Sequence, residues 1–208
     1  MNIIIADDHS VVRRGLQQIL SAQPAWRIVA EIAKADDVLP VLRTTRADLL
    51  ILDVALDRRS GIDLLPNIRS EFPSLPVLML SMYAEEQYAL HCLRAGASGY
   101  VQKDSAPEQL IEAVRRVATG HTYFSSAVMD QLASEVVRGR AGEPHERLSA
   151  RELEVFRLIA MGHSVSEIAE SLHLSVKTVS TYRARLLEKT GFRSNAEIVA
   201  YAIRNRLV

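Results

Sequence analysis

The sequence predicts an α/β domain with a five-stranded, doubly wound parallel sheet, followed by a separate all-α domain of four helices. Two observations support this prediction. Residues 1–120 alternate short apolar runs with amphipathic stretches, a pattern typical of a parallel sheet that is covered by helices on both faces. Residues 148–208 show helical periodicity and helix-capping residues, and they contain no strand pattern.

Five apolar runs in the first 120 residues have the length of buried strands, and Ile and Val are prominent in several of them. We predict strands at Asn2–Ala6, Arg27–Ile32, Asp48–Leu52, Pro76–Leu80 and Ser98–Val101. Helical patterns lie between them, for example Val11–Leu20 and Pro107–Ala118, where Pro107 suits the first turn of a helix. In such sheets ligands bind at the carboxyl ends of the strands, so we expect functional polar residues there.

The pattern changes after residue 120. Ser125–Val137 predicts one helix, and the following segment Arg138–Pro144 contains two glycines and a proline, which would end it. We interpret residues 121–147 as a linker with one helix, although an additional helix packed on the first domain stays open as an alternative. The expected parts are therefore residues 1–120, 121–147 and 148–208.

The composition is that of an ordinary globular protein, with 48% hydrophobic and 24% charged residues. No apolar run approaches the ~18–20 residues of a membrane span, and Asp7 and Asp8 near the N-terminus argue against a secretory signal. For this reason we expect no membrane partner. Cys92 is the one cysteine, so no internal disulfide is possible and we expect a reducing, cytoplasmic location. Equal numbers of basic and acidic residues, 25 each, exclude a histone-like protein coated with positive charge.

Polar residues gather at the carboxyl ends of the predicted strands. Asp7 and Asp8 end the first strand, Asp53 the third and Ser81 the fourth, and Lys103 follows the fifth. Neighbouring carboxylates repel one another, so their ionised form needs a cation, and an all-oxygen site suits Mg²⁺ or Mn²⁺. Asp53 is central and is the candidate nucleophile for a phosphoryl group. The metal and Lys103 would offset the developing charge, and Ser81 would donate a hydrogen bond.

The first 120 residues resemble the receiver domain of a two-component response regulator, which has a flavodoxin-like fold. The resemblance rests on the segments Asp7–His9, Leu49–Asp53, Leu80–Ser81 and Ala95–Lys103. It implies that a sensor histidine kinase transfers a phosphoryl group to Asp53.

The resemblance also implies a role for the other pocket residues. The ligands of Mg²⁺ would be Asp8, the Asp53 carboxylate and the Ala55 carbonyl directly, and Asp7 through water. Ser81 and Tyr100 would act as a paired switch. In this switch the hydroxyl moves toward the phosphoryl group and the aromatic ring turns inward.

The loop after the expected phosphoacceptor departs from the common receiver pattern. Leu56 and Asp57 stand where receivers commonly have Met-Pro, whereas Gly61 keeps its place. The segment Asp57–Arg59 is either a solvated loop or a means of tuning the metal site or the kinase contact, and both interpretations stay open. Tyr83, two residues after the switch hydroxyl, is bulky. We predict that it shields the phosphoryl group from water and prolongs the phosphorylated state.

Residues 148–208 contain two capping boxes, Ser149-x-x-Glu152 and Ser164-x-x-Glu167, which mark the starts of two helices. The predicted helices are Ala150–Met161, Val165–Leu172, Ser175–Lys189 and Asn195–Arg206. Gly191 is the expected stop after the third helix, and His173 and Leu174 form the short turn before it. A helix, a short turn and a second helix have the spacing of a helix-turn-helix motif.

Helix geometry assigns two faces to Ser175–Lys189 at about 100° per residue. The side predicted to pack on the preceding helix carries Val176, Val179, Tyr182 and Leu186. The opposite side would enter the major groove of DNA. Base-edge contacts are expected from Lys177, Ser180, Thr181 and Ala184, and phosphate contacts from Thr178, Arg185 and Lys189. Arg183 lies beside the apolar side, so we expect its charge to extend to water or backbone.

This second part resembles the LuxR-type helix-turn-helix domain of the NarL/FixJ response regulators. The matching segments are Leu148–Val155, Ile168–Leu172 and Ser175–Lys189, while Val165 and Ser166 replace a common Asn-Lys pair and weaken the case for a phosphate contact there. Together the two resemblances imply phosphorylation-controlled binding to double-stranded DNA and control of transcription. The expected partners are the kinase, DNA, a second copy of the chain when phosphorylated, and RNA polymerase.

Two other functions stay open. One is an aspartyl-phosphate phosphatase, although Ala55 stands where a second carboxylate would act as general acid. No two of the six His have the spacing of a zinc helix, and neither a nucleophile elbow nor a Gly-rich phosphate loop is present. We therefore expect no enzyme activity beyond Mg²⁺-dependent acceptance and slow hydrolysis of the chain's own phosphoryl group. The other is a DNA-binding or protein-interaction switch that works without phosphorylation.

Overall fold

The computed structural model describes residues 1–57, 59–138, 143–172, 174–205 and 207–208. The chain divides into two compact units, Met1–Arg138 and Gly139–Val208. Among the described residues, no helix has both the length and the apolar character that a membrane crossing requires.

The first unit is built on one parallel sheet. The strands of this unit are β1 (Asn2–Ala6), β2 (Arg27–Ile32), β3 (Leu49–Asp53), β4 (Ala55–Leu56), β5 (Arg59–Ser60), β6 (Val77–Ser81) and β7 (Gly99–Gln102). The sheet has the strand order β2-β1-β3-β6-β7, and all its neighbouring strands are parallel. Strand order reverses at β1 and β3, so the carboxyl ends of these two strands flank the crevice of a doubly wound sheet.

Helices cover both faces of this sheet. They are α1 (Ser10–Ser21), α2 (Val38–Thr44), α3 (Gly61–Glu71), α4 (Glu85–Arg94) and α5 (Pro107–Ala118), with a 3₁₀ turn at Ala35–Asp37. A further helix, α6 (Ser126–Arg138), follows them in the chain. Successive strand residues face opposite sides of a sheet. Ile3 and Ile5 pack in one core with residues of α1 and α5, and Ile4 is equally buried on the other side. The predicted fold class of this part is therefore confirmed.

The predicted strands agree with the structure to within one residue. β1 and β2 have the predicted bounds, and β3, β6 and β7 begin and end one residue later than predicted. The antiparallel pair β4–β5 was not predicted, because strands of two residues are too short to form a recognisable apolar run. Asp57, which follows β4, has a φ of 51°, and this left-handed conformation is one that Asp tolerates better than most residues. Residue 58, in the same loop, lies outside the described residues.

The segment after α5 attaches to the edge of the sheet. Tyr123 forms a parallel bridge with Gly99, and its carbonyl accepts a hydrogen bond from the Tyr100 amide at 2.9 Å. The Ser125 amide donates to Glu85 Oε1 at 2.7 Å, and α6, predicted to within one residue, contacts α4. Residues 139–142 of the predicted breaker segment lie outside the described residues. The bounds 1–120, 121–147 and 148–208 stay predictions.

The second unit contains four α-helices among its described residues, as predicted. They are α7 (Ala150–Ala160), α8 (Val165–Ser171), α9 (Val176–Thr190) and α10 (Asn195–Arg204), preceded by a 3₁₀ turn at Pro144–Arg147. Both predicted capping boxes are formed at the starts of α7 and α8. Gly191 ends α9 with a φ of 76°, as expected for a glycine stop. Residue 173 of the predicted turn and residue 206 of the predicted last helix lie outside the described residues.

Candidate functional site

Three buried polar residues meet at the carboxyl edge of the sheet. Asp7 follows β1, Asp53 ends β3 and Ser81 ends β6, and these strands are neighbours in the sheet. All three side chains are buried, and Asp53 is only 1% exposed. Since an ionised carboxylate is costly to bury without a partner, this edge requires cations.

Lys103 supplies one such cation. Its Nζ lies 2.7 Å from Asp7 Oδ2 and 2.7 Å from Asp53 Oδ2, and its side chain is 4% exposed. Burial raises the pKa of Asp53 even though Lys103 opposes that shift. Burial alone would lower the pKa of Lys103, but attraction to Asp53 and hydrogen bonds with both carboxylates raise it. Two carboxylates and one ammonium leave a net negative charge, which favours a second cation.

Asp8 and His9 extend this cluster toward the solvent. The His9 amide donates to Asp7 Oδ1 at 2.8 Å, and His9 Nδ1 lies 2.7 Å from Asp8 Oδ1. One potential ligand atom from each of Asp7, Asp8, His9 and Asp53 lies within 4.8 Å of the others. The three carboxylates offer the oxygen donors that Mg²⁺ and Mn²⁺ prefer, so these residues fit a divalent cation.

The loop after β3 orients the carboxylates through its main chain. The Ala55 amide donates to Asp53 Oδ1 at 3.1 Å, and the Asp57 amide donates to Asp8 Oδ2 at 3.2 Å. Gly61 packs directly against Asp53, so a Cβ at this position would lie 2.0 Å from the Asp53 carbonyl oxygen. Asp57, one of the two residues that depart from the common receiver pattern, therefore contacts the acidic cluster through its main chain.

The two expected switch residues are joined by Tyr83. Ser81 Oγ accepts a hydrogen bond from the Tyr83 amide at 3.1 Å, and the buried Tyr100 donates its hydroxyl hydrogen to the Tyr83 carbonyl at 2.8 Å. The Tyr83 ring packs on Tyr88 at a centroid distance of 5.0 Å. Shielding of a phosphoryl group by Tyr83 stays a prediction.

The faces of α9 largely follow the sequence prediction. Val179 and Leu186 are fully buried, and Lys177, Ser180, Thr181, Ala184 and Arg185 are exposed. The packing predicted for Val176 is wrong, since its side chain is 51% exposed. Val176 is the first residue of α9. Helical side chains tilt toward the N-terminus, so this side chain extends past the part of α9 that packs on other helices.

Among the described residues of α9, side-chain partners outside that helix are found for Thr178, Arg183 and Lys189. Thr178 Oγ1 lies 2.8 Å from Ser175 Oγ at the helix start, and Lys189 Nζ lies 2.6 Å from Glu152 Oε2 in the capping box of α7. Arg183 Nε donates to Asn195 Oδ1 at 2.7 Å. The Arg183 side chain thus has an acceptor on α10 that the sequence did not predict, and the expectation that its charge extends to water or backbone stays a prediction.

Comparison with known proteins adds an identification to this geometry. Residues 3–115 match the family model of the response regulator receiver domain, and residues 146–202 match that of the luxR family of bacterial regulatory proteins. The chain belongs to the response regulator family. This response regulator combines a receiver domain with a LuxR-type DNA-binding domain, as both resemblances implied.

Several relatives match this chain over nearly all of their own length. The oxygen regulatory protein NreC of Staphylococcus epidermidis is 38% identical over 100% of this chain and 99% of its own length, and NreC of Staphylococcus carnosus is also 38% identical over the same shares. RcsB of Salmonella enterica, solved bound to the promoter rprA in the presence of phosphomimetic BeF₃⁻, is 30% identical with a TM-score of 0.62 and 97% coverage of both chains. A LuxR-family response regulator from Aurantimonas is 32% identical with a TM-score of 0.59, over 65% of this chain and 97% of that one.

Three features of this response regulator's pocket were missed by sequence reasoning. The imidazole of His9 was not considered as a ligand, although the run Asp7–His9 carried the signal. Two features arise only in the folded structure. One is the position of the Tyr83 main chain between Ser81 and Tyr100, and the other is the close packing at Gly61, which leaves no room for a Cβ. No sequence pattern identifies a carbonyl that accepts a hydrogen bond or a Cβ that would collide.

Proposed function

We propose that Asp53 accepts a phosphoryl group from a sensor histidine kinase, and that phosphorylation controls the binding of α9 to specific sites in double-stranded DNA. The observation that carries this proposal is the Asp53 carboxylate, which is buried at the sheet edge with the Lys103 ammonium 2.7 Å away and two further carboxylates beside it. Buried carboxylates arranged in this way suit group transfer better than they suit stability.

Each residue of the pocket has a distinct role in the proposed phosphoryl transfer. An Asp53 carboxylate oxygen attacks the phosphorus of the kinase's phosphohistidine, and the P–N bond breaks as the kinase imidazole leaves. The Lys103 ammonium stays beside Asp53 and donates to a phosphoryl oxygen. A Mg²⁺ or Mn²⁺ ion supplies further positive charge when it is held by Asp8, Asp53 and the Ala55 carbonyl directly, and by Asp7 through water. Slow hydrolysis of the resulting acyl phosphate is the only turnover that we propose.

Ser81 couples phosphorylation of Asp53 to a conformational change outside the pocket. Its Oγ accepts from the Tyr83 amide and keeps its own hydrogen, which it donates to the new phosphoryl oxygen. A shift of Ser81 moves the Tyr83 main chain, whose carbonyl holds the Tyr100 hydroxyl. Tyr100 in turn is paired with Tyr123 of the segment that leaves the sheet. Phosphorylation thus biases an existing equilibrium between two arrangements of these residues.

The second part of the proposal concerns DNA. The exposed residues of α9 include Lys177, Ser180, Thr181 and Ala184 for base edges and Arg185 for phosphate, and Thr178 and Lys189 stay phosphate candidates. RcsB, which resembles this chain in structure, was solved bound to a promoter, and this supports DNA binding as the role of α9 in this chain. We expect residues 148–208 to be the DNA-binding domain and a phosphorylated homodimer to bind two half-sites. We also expect the protein to act on RNA polymerase and to be located in the cytoplasm.

A phosphodonor experiment tests the acceptor. The full chain is incubated with acetyl phosphate and Mg²⁺, and the phosphorylated fraction is measured by intact-mass spectrometry. Asp53→Asn should not be labelled, whereas Asp130→Asn, at an exposed position on α6, should be labelled like the wild type. Labelling of Asp53→Asn at the wild-type level would refute the proposed acceptor.

Selection of genomic DNA fragments with and without the phosphodonor tests the output. We expect enrichment of particular fragments that depends on the donor and is lost in Asp53→Asn. Equal enrichment in all cases would favour a DNA-binding switch that works without phosphorylation. Turnover of a phosphomonoester substrate would instead favour the phosphatase interpretation.

A further inference from the structure

We propose that Val176 is a specificity-determining residue that reads the 5-methyl group of a thymine in the major groove. The inference rests on the proposed entry of α9 into that groove. It adds a residue that the sequence pattern assigned to the opposite, packed side of the helix.

Val176 is a large apolar side chain that the fold leaves 51% exposed at the start of α9. A single exposed apolar residue is ordinary on a protein surface and decides nothing by itself. The position of Val176 is informative, because Ser180 and Ala184 follow it at intervals of four residues and are also exposed. Val176 therefore borders the face that carries the expected base contacts, in the helical turn that enters the groove first.

The chemistry of this face favours methyl contacts over hydrogen bonds. Thr181 donates its hydroxyl hydrogen to the Lys177 carbonyl at 2.9 Å, so it offers a base its methyl group and a lone pair but no donor. Ala184 offers only a methyl group. Hydrogen-bond donors on this face therefore come from Lys177 and Ser180.

Thymine is the base that presents a methyl group in the major groove. Val176 is the largest of the apolar groups that this end of α9 presents, together with the methyl groups of Thr181 and Ala184. A site with thymines opposite this turn would bury those methyl groups against the helix. We therefore expect the selected DNA sites to contain a thymine at a fixed position of each half-site, read by Val176.

The test replaces single thymines by deoxyuridine, which removes the 5-methyl group and keeps the base pair. A site is first selected with the phosphorylated full chain, and the dissociation constant is then measured for each substituted site. Loss of one buried methyl contact should weaken wild-type binding about fourfold at the position read by Val176. In Val176→Ala this penalty should disappear at that position and persist at the other thymines.

Met161→Ala is a matched control, because Met161 is 57% exposed in the same unit but lies at the end of α7. It should show the wild-type set of penalties, and both variants should bind random DNA like the wild type. If Val176→Ala keeps every penalty of the wild type, the inference is wrong. If the wild type selects no sequence at all, the proposed DNA-binding function itself fails.

Discussion

Lys103 connects the two most buried carboxylates of the pocket, with its Nζ 2.7 Å from an oxygen of each. Removing one partner of a buried ion pair leaves uncompensated charge and typically costs about 3–5 kcal/mol. We expect Lys103→Met to lower the free energy of unfolding of the first unit by about 3 kcal/mol, because Asp7 and Asp53 then lack their ammonium.

Mg²⁺ should recover part of this loss, since a second cation at the cluster replaces some of the missing positive charge. Thermal unfolding of the full chain with and without Mg²⁺ measures both effects. Lys34→Met, which changes an exposed lysine, is the control and should unfold like the wild type. Equal stability of Lys103→Met and wild type would contradict the proposed charge balance.

Gly61 tests the geometry of the acceptor without changing any charge. A Cβ at this position would lie 2.0 Å from the Asp53 carbonyl oxygen, so Gly61→Ala must displace the main chain of the acceptor. We expect slower labelling by acetyl phosphate together with a stability loss of about 2 kcal/mol, as for an overpacked core.

Gly15→Ala is the matched control for Gly61. Nothing lies within 4 Å of the added Cβ in the middle of α1, and alanine should stabilise that helix by about 0.5–1 kcal/mol. Chemical denaturation and labelling rates of the two variants give the comparison. Normal labelling of Gly61→Ala would show that the loop adapts without moving Asp53.

At the level of elements, α7 and α9 are joined by an ion pair that helix capping makes possible. Glu152 accepts a hydrogen bond from the Ser149 amide and lies 2.6 Å from Lys189 Nζ. Burial by itself would raise the pKa of Glu152, but the hydrogen bonds from Lys189 and Ser149 outweigh it and lower the pKa below its usual value.

This lowered pKa predicts a pH dependence. The stabilisation is complete above the unfolded-state pKa of about 4.3 and is lost as the pH falls through the lower folded-state pKa. Glu152→Gln keeps an acceptor for Ser149 but loses the ion pair, whose value we set at about 1 kcal/mol because Lys189 is 43% exposed. Amide hydrogen exchange in α7 should be about fivefold faster in the variant at neutral pH, and the difference should vanish once the pH lies below the folded-state pKa of Glu152.

Glu170→Gln, at an exposed position of α8, should match the wild type at both pH values. A difference between Glu152→Gln and the wild type that persists in acid would mean that the variant loses packing rather than charge.

The elements of this chain were predictable wherever a pattern repeats. Apolar runs, helical periodicity, Ser-x-x-Glu capping and the glycine at 191 located the long elements to within one or two residues. The β4–β5 pair was missed because two-residue strands carry no period. Val176 was assigned to the packed face because angular position alone ignores where along the helix the neighbours end.

The same limit applies to the candidate site. The carboxylates and Lys103 were predictable, because parallel strands bring their carboxyl ends to one edge. The partners of Lys189 and Arg183 were not predictable, since each contact joins α9 to a different helix. Such contacts depend on helix packing, which a single sequence does not show.

For the whole molecule, a net charge of zero conceals an uneven distribution. Residues 1–120 contain 13 basic and 15 acidic side chains, whereas residues 148–208 contain nine basic and six acidic ones. The acidic excess of the first part suits the proposed cation site, and the basic excess of the second part suits DNA. DNA binding by this neutral chain should therefore depend on salt as it does for an ordinary basic domain.

The salt dependence also separates the two kinds of contact on α9. Arg185→Ala should weaken binding to selected and random DNA alike, and it should reduce the slope of log affinity against log salt concentration by about 1, since one phosphate contact is lost. Thr181→Ala should leave the slope unchanged and weaken selected DNA by about 1–3 kcal/mol. Arg14→Ala, at an exposed position of α1, controls for charge and should change neither quantity. Equal losses on selected and random DNA for Thr181→Ala would show that Thr181 positions the helix rather than reads a base.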